Sequence, residues 1–271
     1  MKISVIIPTY KPQDYLWECL DSLVAQTFPK EDFEIILVLN GCVEPYKSAV
    51  EKYIAENMDE MNVNFIHTEV GGVSNARNLA LDKAKGGFVT FIDDDDFVSP
   101  RFLELLYEKV DSDTISVCYP YAFNDGIVDK QISYYLTDAY EELCKDSLLI
   151  LSSKIRKFFS GPCMKLIPMS FIQSRRFDVR FKNGEDSLFM FLISDRFKRF
   201  ALTNKEAIYY RRYRDGSAVM SKRKKKDLIK TGVLQMGVYL TYFLKSPLNY
   251  NWIFFFTRIL ASVHGIIHNI K

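Results

Sequence analysis

Four times within the first hundred residues a short apolar run rich in Ile, Val and Phe is followed by a stretch with apolar residues at helical spacing. Such alternation leaves few options. Each strand is apolar throughout, so both its faces must be covered, and the intervening helices are long enough to cross over and do so. The result expected is a largely parallel sheet with right-handed crossovers. Lys2 to Ile7 predicts the first strand, closed by Pro8-Thr9-Tyr10-Lys11-Pro12. Leu16, Cys19, Leu20, Leu23 and Val24 recur as one face of a helix that stops before Pro29. Phe33 to Leu39 is the second strand, ended by Asn40-Gly41, and a helix follows from Glu44 to Asn57. Val63 to His67 is the third strand. A helix from Val73 to Lys85 lies between Gly71-Gly72 and Gly86-Gly87, and a fourth strand begins at Phe88.

That fourth strand ends abruptly in Asp93-Asp94-Asp95-Asp96, followed by Phe97-Val98-Ser99-Pro100. Ser99 as N-cap and Pro100 at the first helical position predict a helix start there. A buried strand would thus deliver a cluster of carboxylates to the carboxyl edge of the sheet, where open α/β folds bind ligands. Adjacent carboxylates raise one another's pKa unless a cation or strong donors sit among them. A divalent-metal site is therefore expected in preference to a solvated acidic turn. An EF-hand is excluded, because its sixth position needs Gly and, counting from Asp93, Val98 stands there. Mg²⁺ or Mn²⁺ shared between one or two carboxylates and substrate phosphates fits the donor set.

Beyond this point the pattern loosens. Thr114 to Tyr119 predicts a strand, and the segment from Pro120 to Phe181 has no clear period. Asn183-Gly184-Glu185-Asp186 opens a helix carrying Leu188, Phe189 and Leu192, and Glu206 to Tyr213 predicts another strand. A basic run, Lys222 to Lys226, precedes two apolar helical stretches, Asp227–Leu244 and Leu248–Ile270. The second is interrupted by Arg258 before it reaches spanning length. It is either a hairpin packed on the domain or in a homodimer, or an interfacial anchor aided by the basic run. His264 and His268 have the spacing of metal ligands on a helix, but no nearby Glu or Cys completes a site.

Composition narrows the function. With 48% hydrophobic and 26% charged residues, the 271-residue chain suits one large domain, or one domain with an appendage. A net charge of +2 gives no ground for a nucleic-acid partner. The five cysteines are odd in number and widely spaced, with no C-x-x-C, so a reduced cytoplasmic setting is expected. Met1-Lys2 leads straight into a strand and not into a signal peptide. Neither the G-x-G-x-x-G fingerprint nor the P-loop is present, so a nucleotide would be held by other means.

Five segments together resemble the family 2 glycosyltransferases in order and spacing. They are Val5-Ile6-Ile7-Pro8-Thr9-Tyr10, Glu34 to Gly41, Gly72-Val73-Ser74-Asn75-Ala76-Arg77-Asn78, Asp93 to Asp96, and Gly184-Glu185-Asp186. The resemblance covers residues 1 to 215. It implies the GT-A fold, with a nucleotide-binding half over 1–110 and an acceptor half over 111–215. Residues 216–271 are then a basic linker and C-terminal helical segment. It also implies transfer of a sugar, with inversion, from a nucleotide-diphosphate donor such as a UDP-sugar to a saccharide or lipid-linked saccharide. The bacterial enzymes of capsule, exopolysaccharide and O-antigen synthesis are the most similar, and they imply a cytoplasmic protein, peripheral on the inner face of the membrane.

By that resemblance Pro8, Thr9 and Tyr10 hold the base and ribose, and Arg77 lies near the nucleotide. Asp93 and Asp94 contact the donor, Asp93 and Asp95 hold Mn²⁺ or Mg²⁺, and Asp186 is the catalytic base. Asn40 stands where the family usually has a base-reading Asp, and Leu39 replaces another. An amide both donates and accepts, so Asn40 can still read uracil, but the nucleotide is left open. Glu185 is the second candidate base, with a helix-start charge favoured by the dipole as its ordinary reading. Arg211, Arg212 and Arg214, near Ser217, form either a charged strand edge or a loop that closes on the diphosphate. Two other readings compete: a nucleotidyltransferase, disfavoured by the loop after the first strand, and a non-catalytic sugar-nucleotide-binding protein.

Overall fold

The computed structural model describes residues 1–145, 155–214 and 225–270. The first half follows the expected alternation: β1 (Ile3–Thr9), α1 (Asp14–Val24), β2 (Phe33–Asn40), α2 (Tyr46–Asn57), β3 (Val63–Thr68), α3 (Val73–Lys83) and β4 (Phe88–Phe91). These four strands are mutually parallel, in the order β4-β1-β2-β3. β1 and β2 are buried along their whole length, as runs covered on both faces must be. Every parallel strand points its carboxyl end the same way, so Thr9, Asn40 and the chain after Phe91 emerge along one edge.

The chain then departs from expectation. Ser99 does not cap a helix. Its hydroxyl donates to the Glu206 carbonyl at 2.6 Å and accepts from the Ile208 N–H at 2.9 Å. Those bonds lock a two-residue strand, β5 (Phe97–Val98), beside a later strand, and α4 (Phe102–Lys109) starts only after Arg101. The single strand expected over Thr114–Tyr119 is two, β6 (Thr114–Val117) and β7 (Tyr119–Asn124), which break at Cys118 and enter different sheets. After them come β8 (Ile127–Gln131), α5 (Tyr135–Leu143), a 3₁₀ segment over Ile155–Ser160, β9 (Lys165–Pro168) and α6 (Met169–Ile172). Next are α7 (Glu185–Ile193), β10 (Arg199–Leu202) and β11 (Ile208–Tyr213). The main sheet has seven strands, β10-β6-β9-β4-β1-β2-β3, with β9 antiparallel to both its neighbours. A second sheet, β5-β11-β7-β8, stands beside it. β11 is an interior strand of that sheet, so the charged-edge reading fails for Arg211 and Arg212, and Arg214 follows the strand's end.

Two long helices, α8 (Lys225–Lys245) and α9 (Trp252–Ile270), form a hairpin against α7. Phe191 of α7 is the anchor: Tyr250 stacks on it at 4.9 Å, Tyr239 meets it edge-on at 5.1 Å, and Phe254 lies at 5.7 Å. The opposite face of α9 exposes Ile253, Phe256, Leu260 and Ile267, which share one helical stripe. The hairpin reading therefore holds for one face. Among the described residues no helix is long and apolar enough to cross a membrane. Lys222–Lys224 of the basic run lie outside the described residues.

Candidate active site

The four carboxylates after β4 share one turn but take four different partners. Asp93 accepts from Arg77 Nη2 at 2.9 Å, and Asp94 from the Thr9 hydroxyl at 2.5 Å. Asp95 accepts from Arg214 Nε at 2.9 Å, and Asp96 from the Arg212 backbone N–H at 2.8 Å. Asp93, Asp94 and Asp95 line the main cleft, whereas Asp96 is buried beneath it. Burial pushes the pKa of Asp94 up to about 7; the Thr9 bond opposes this, and the charges of Asp95 and Asp93 add to it. Asp95 is also raised, first by burial and then by Asp93. The raised carboxyls expected from sequence are present, with desolvation ahead of mutual repulsion as their cause.

The cleft, of about 880 Å³, runs along the carboxyl edge of the parallel strands. At one end stand Pro8, Thr9, Tyr10 and Asn40, facing Gly71, Gly72 and Val73 at the start of α3. Thr9 is buried and Tyr10 half exposed. The Asn40 amide, expected to read a base, is committed to backbone. It donates to the Thr9 carbonyl at 2.7 Å and accepts from the Gly72 N–H at 2.8 Å. It thus ties together the two turns that frame this end. Asn40→Ala strands both backbone groups, and is expected to cost about 1–3 kcal/mol. A urea melt checks this, and an unchanged midpoint would refute the tie.

The other end is organised by Arg77, which comes from α3 and is 3% exposed. Its Nη1 donates to Asp186 Oδ1 at 2.5 Å while Nη2 donates to Asp93. One guanidinium therefore joins carboxylates 93 residues apart in sequence. Its plane lies over Phe177 at 5.3 Å, and Phe177 stacks on Phe189 of α7 at 3.8 Å, so aromatic packing fixes the cation from below. Arg77 is therefore a buried, doubly paired cation and not one solvated on a helix surface. Burial disfavours its charge, but Asp186 and Asp93 more than offset that and hold its pKa above the usual value.

Asp186 occupies the first turn of α7, entered through Gly184 at φ 74°, a left-handed conformation that favours glycine. A Cβ at Gly184 would also lie 2.1 Å from Gln235 Nε2. Burial raises the pKa of Asp186, Arg77 pulls it back, and the net shift is upward, opposite to the effect of the helix N-terminus. Glu185 is buried beside the cleft, its pKa raised by burial, and its Oε2 has no hydrogen-bond partner. Arg212 ties Asp125 and Glu18 at 2.6 Å each and the Asp95 carbonyl at 2.8 Å, so it braces the acidic turn. Arg214 lies over the Tyr15 ring at 4.5 Å and holds Asp95. The loop near Ser217 lies outside the described residues.

Lys165 escaped notice in the sequence. It is fully buried in β9, donates to the Gly161 carbonyl at 2.7 Å, and has its pKa lowered to about 8 by burial, with Cys163, Cys118 and then Asp186 opposing. Its one signal was a lone cation inside Met164-Lys165-Leu166-Ile167, an otherwise apolar run. Among the described residues no three His, Cys, Asp or Glu side chains converge as a ready metal cage. A cation at the acidic turn would take one or two protein oxygens and the rest from phosphates and water, which is how Mg²⁺ and Mn²⁺ are commonly held. The donor set of Asp93 and Asp95 fits that description.

Comparison with known proteins agrees with the fold. TarS of Staphylococcus aureus, a poly(ribitol-phosphate) beta-N-acetylglucosaminyltransferase, is 30% identical over 224 residues, 82% of this chain and 37% of its own. A Campylobacter jejuni GalNAc(5)-diNAcBac-PP-undecaprenol beta-1,3-glucosyltransferase is 27% identical over 88% of this chain and 74% of its own. The crystal structure of a TarS fragment with UDP-GlcNAc superposes with a TM-score of 0.70 at 25% identity, covering 89% of this chain and 67% of that one. A Pyrobaculum calidifontis mannosyltransferase with GDP-Man and Mn²⁺ shares the fold, with a TM-score of 0.62 at 16% identity over 99% of this chain and 73% of that one. The chain spans 37% of TarS and 31% of the Streptococcus pneumoniae glycosyltransferase GlyA. Residues 4–175 match Glycosyl transferase family 2, and the chain belongs to that family.

Proposed function

We propose that this chain is the catalytic unit of an inverting glycosyltransferase of cell-surface glycopolymer synthesis. It takes a sugar from a nucleotide donor, a UDP-sugar by likeness to TarS, and places it on a saccharide or phosphate-bearing acceptor. The observation that carries this reading is the Arg77 bridge, which sets Asp186 and Asp93 on either side of one cation at the head of the donor cleft. In an inverting transfer a base must face the anomeric carbon opposite the departing diphosphate, and the bridged carboxylates suit those two stations. Asp186 takes the proton of the acceptor hydroxyl as the new bond forms on an oxocarbenium-like centre. Arg77 keeps Asp186 ionised and grips it by one oxygen. Thr9 and Tyr10 position the nucleoside, and Asn40 holds their turn. Asp93 and Asp95 would hold Mn²⁺ or Mg²⁺, which when bound neutralises charge on the leaving diphosphate. Residues 1–215 form the transferase domain in this reading, and 216–271 its helical appendage.

The test is UDP release from a UDP-sugar in Mn²⁺, with donor binding followed by calorimetry. Asp95→Ala should remove Mn²⁺-dependent donor binding and leave the fold intact, since Asp95 lies outside the core. Equal donor affinity in the variant and the parent would show the metal assignment to be wrong. The absence of any UDP release by the parent would leave only a binding protein.

The outer stripe of α9 is the surface for a lipid bilayer in this reading, because the basic Lys222–Lys226 run leads into the same helical hairpin and suits anionic headgroups. Truncating α9 is a poor test, since it would uncover Phe191 and Tyr239. Replacing Ile253, Phe256 and Leu260 together by Glu changes only exposed positions and should release the protein from anionic vesicles. Co-sedimentation equal to that of the parent would exclude the anchor.

A further inference from the structure

A second cavity, of about 240 Å³, opens between the first turn of α7 and the α8–α9 hairpin. Its polar lining includes Ser187, Thr231, Gln235, Tyr239, Arg258 and Ser262, with no acidic residue among the described lining residues. Arg258, the residue that interrupts the apolar run of α9, supplies the charge. It is 8% exposed and forms no ion pair among the described residues. Its Nη2 donates to the Phe159 carbonyl, its Nη1 to Ser160 Oγ at 3.3 Å, and its Nε has no acceptor. The guanidinium lies over Phe254 at 4.7 Å. Burial pulls its pKa down to about 10, and Arg156 adds a like charge. A buried cation without a counter-ion is costly, and proteins keep one where an anion completes it.

The cavity's place gives the anion a role. Asp186 and Ser187 are consecutive on α7 but serve opposite sides. Asp186 bonds Arg77 toward the donor cleft, while the Ser187 hydroxyl bonds the Tyr239 hydroxyl at 2.8 Å beside the cavity. A helix with its side chains is about 10 Å across. A group seated by Arg258 is therefore separated from the base by about the width of α7, roughly 10 Å.

We propose that this cavity is a phosphate subsite for the acceptor, with Arg258 as its charge and Ser187, Thr231, Gln235 and Tyr239 as neutral hydrogen-bonding groups. The assignment rests on the transferase reading above and deepens it. The phosphate is either a polyol phosphodiester of a polymer or the diphosphate of a lipid carrier. Both present the oxygens that a guanidinium fork binds.

The experiment titrates inorganic phosphate by calorimetry into the whole chain saturated with UDP and Mg²⁺, against chloride of equal ionic strength and with the heat of phosphate injected into UDP and Mg²⁺ alone subtracted. UDP saturation closes the donor cleft to phosphate, and the UDP titration itself reports separately on the transferase reading. The parent should bind phosphate saturably, and Arg258→Gln should weaken binding at least about tenfold. Gly265→Leu is the second variant: Gly265 lines the cavity and a Cβ there meets nothing within 4 Å, so the substitution adds bulk at the cavity wall. It should weaken phosphate to the same degree and remains informative should Arg258→Gln fail to fold. Competition by glycerol 3-phosphate and by geranyl diphosphate then tells a polyol source from a lipid one. No saturable binding by the parent, or unchanged binding in either folded variant, overturns the assignment.

Discussion

Asp186→Asn is expected to lower kcat by roughly 10²–10⁴-fold, the worth of a positioned general base, with donor affinity retained. The substitution keeps the shape of the side chain and one oxygen for Arg77, but removes the ability to accept a proton. The structure sharpens the case in two ways. Arg77 holds Oδ1, and Gly161 borders Oδ2, where a Cβ would stand 3.9 Å away, so the second oxygen is left for the proton. The raised pKa makes the carboxylate a better base than an exposed one, while Arg77 keeps it charged. Glu185 is the control. Its carboxyl is buried beside the cleft, its pKa also lies above the usual value, and it lacks a fixed cation partner. Transfer kinetics of Asp186→Asn beside Glu185→Gln, with donor binding measured in parallel, decide the matter. Near-parent turnover in Asp186→Asn removes it from the mechanism, and a loss confined to Glu185→Gln moves the role there.

Why these residues could be found in the sequence, and others not, has a physical basis. β1, β2 and β4 are buried on both faces, so they read as unbroken apolar runs that could only be strands of a covered sheet. Asp93–Asp96 stood out because nothing in a core tolerates four adjacent carboxylates. From Tyr119 onward the signals weaken for reasons visible in the fold. β7 has Pro120 as its second residue and lies in a different sheet from β6, β8 is wholly exposed, and β9 carries the buried Lys165. None of these shows a clean period. Ser99 had the right residue type for a cap, but its hydroxyl was taken by Glu206 and Ile208, more than a hundred residues on. Long-range bonds of that sort override local preference. Asn40 and Arg77 were legible as positions and not as roles, since sequence cannot reveal that an amide faces two backbone groups or that a helical arginine faces two acids.

Arg77→Met should be the most damaging change to stability within the cleft. The methionine fills similar length and keeps apolar contact with Phe177, so the loss isolates charge. Removing one partner of a buried ionic cluster costs about 3–5 kcal/mol, because the remaining charges lose their counter-ion. Here Asp93 and Asp186 keep 32% and 30% of their side-chain surface, so water carries part of that load. The lower figure, about 3 kcal/mol, is therefore expected, a fall in Tm of roughly 6–12 °C for a chain of this size. Turnover should fall as well, because Asp186, with burial and Asp93 still acting on it, no longer has the cation that keeps it ionised. Arg77→Lys should recover only part of either loss, since one ammonium cannot reproduce two guanidinium bonds to separate acids. The double variant Arg77→Met with Asp186→Asn separates charge from packing. If stranded charge is the cause, neutralising Asp186 in the Met background returns stability, and the two effects fail to add by about 0.5–3 kcal/mol. Strict additivity, or a Tm equal to that of the parent in Arg77→Met, would mean that the bridge does not hold the two carboxylate stations together.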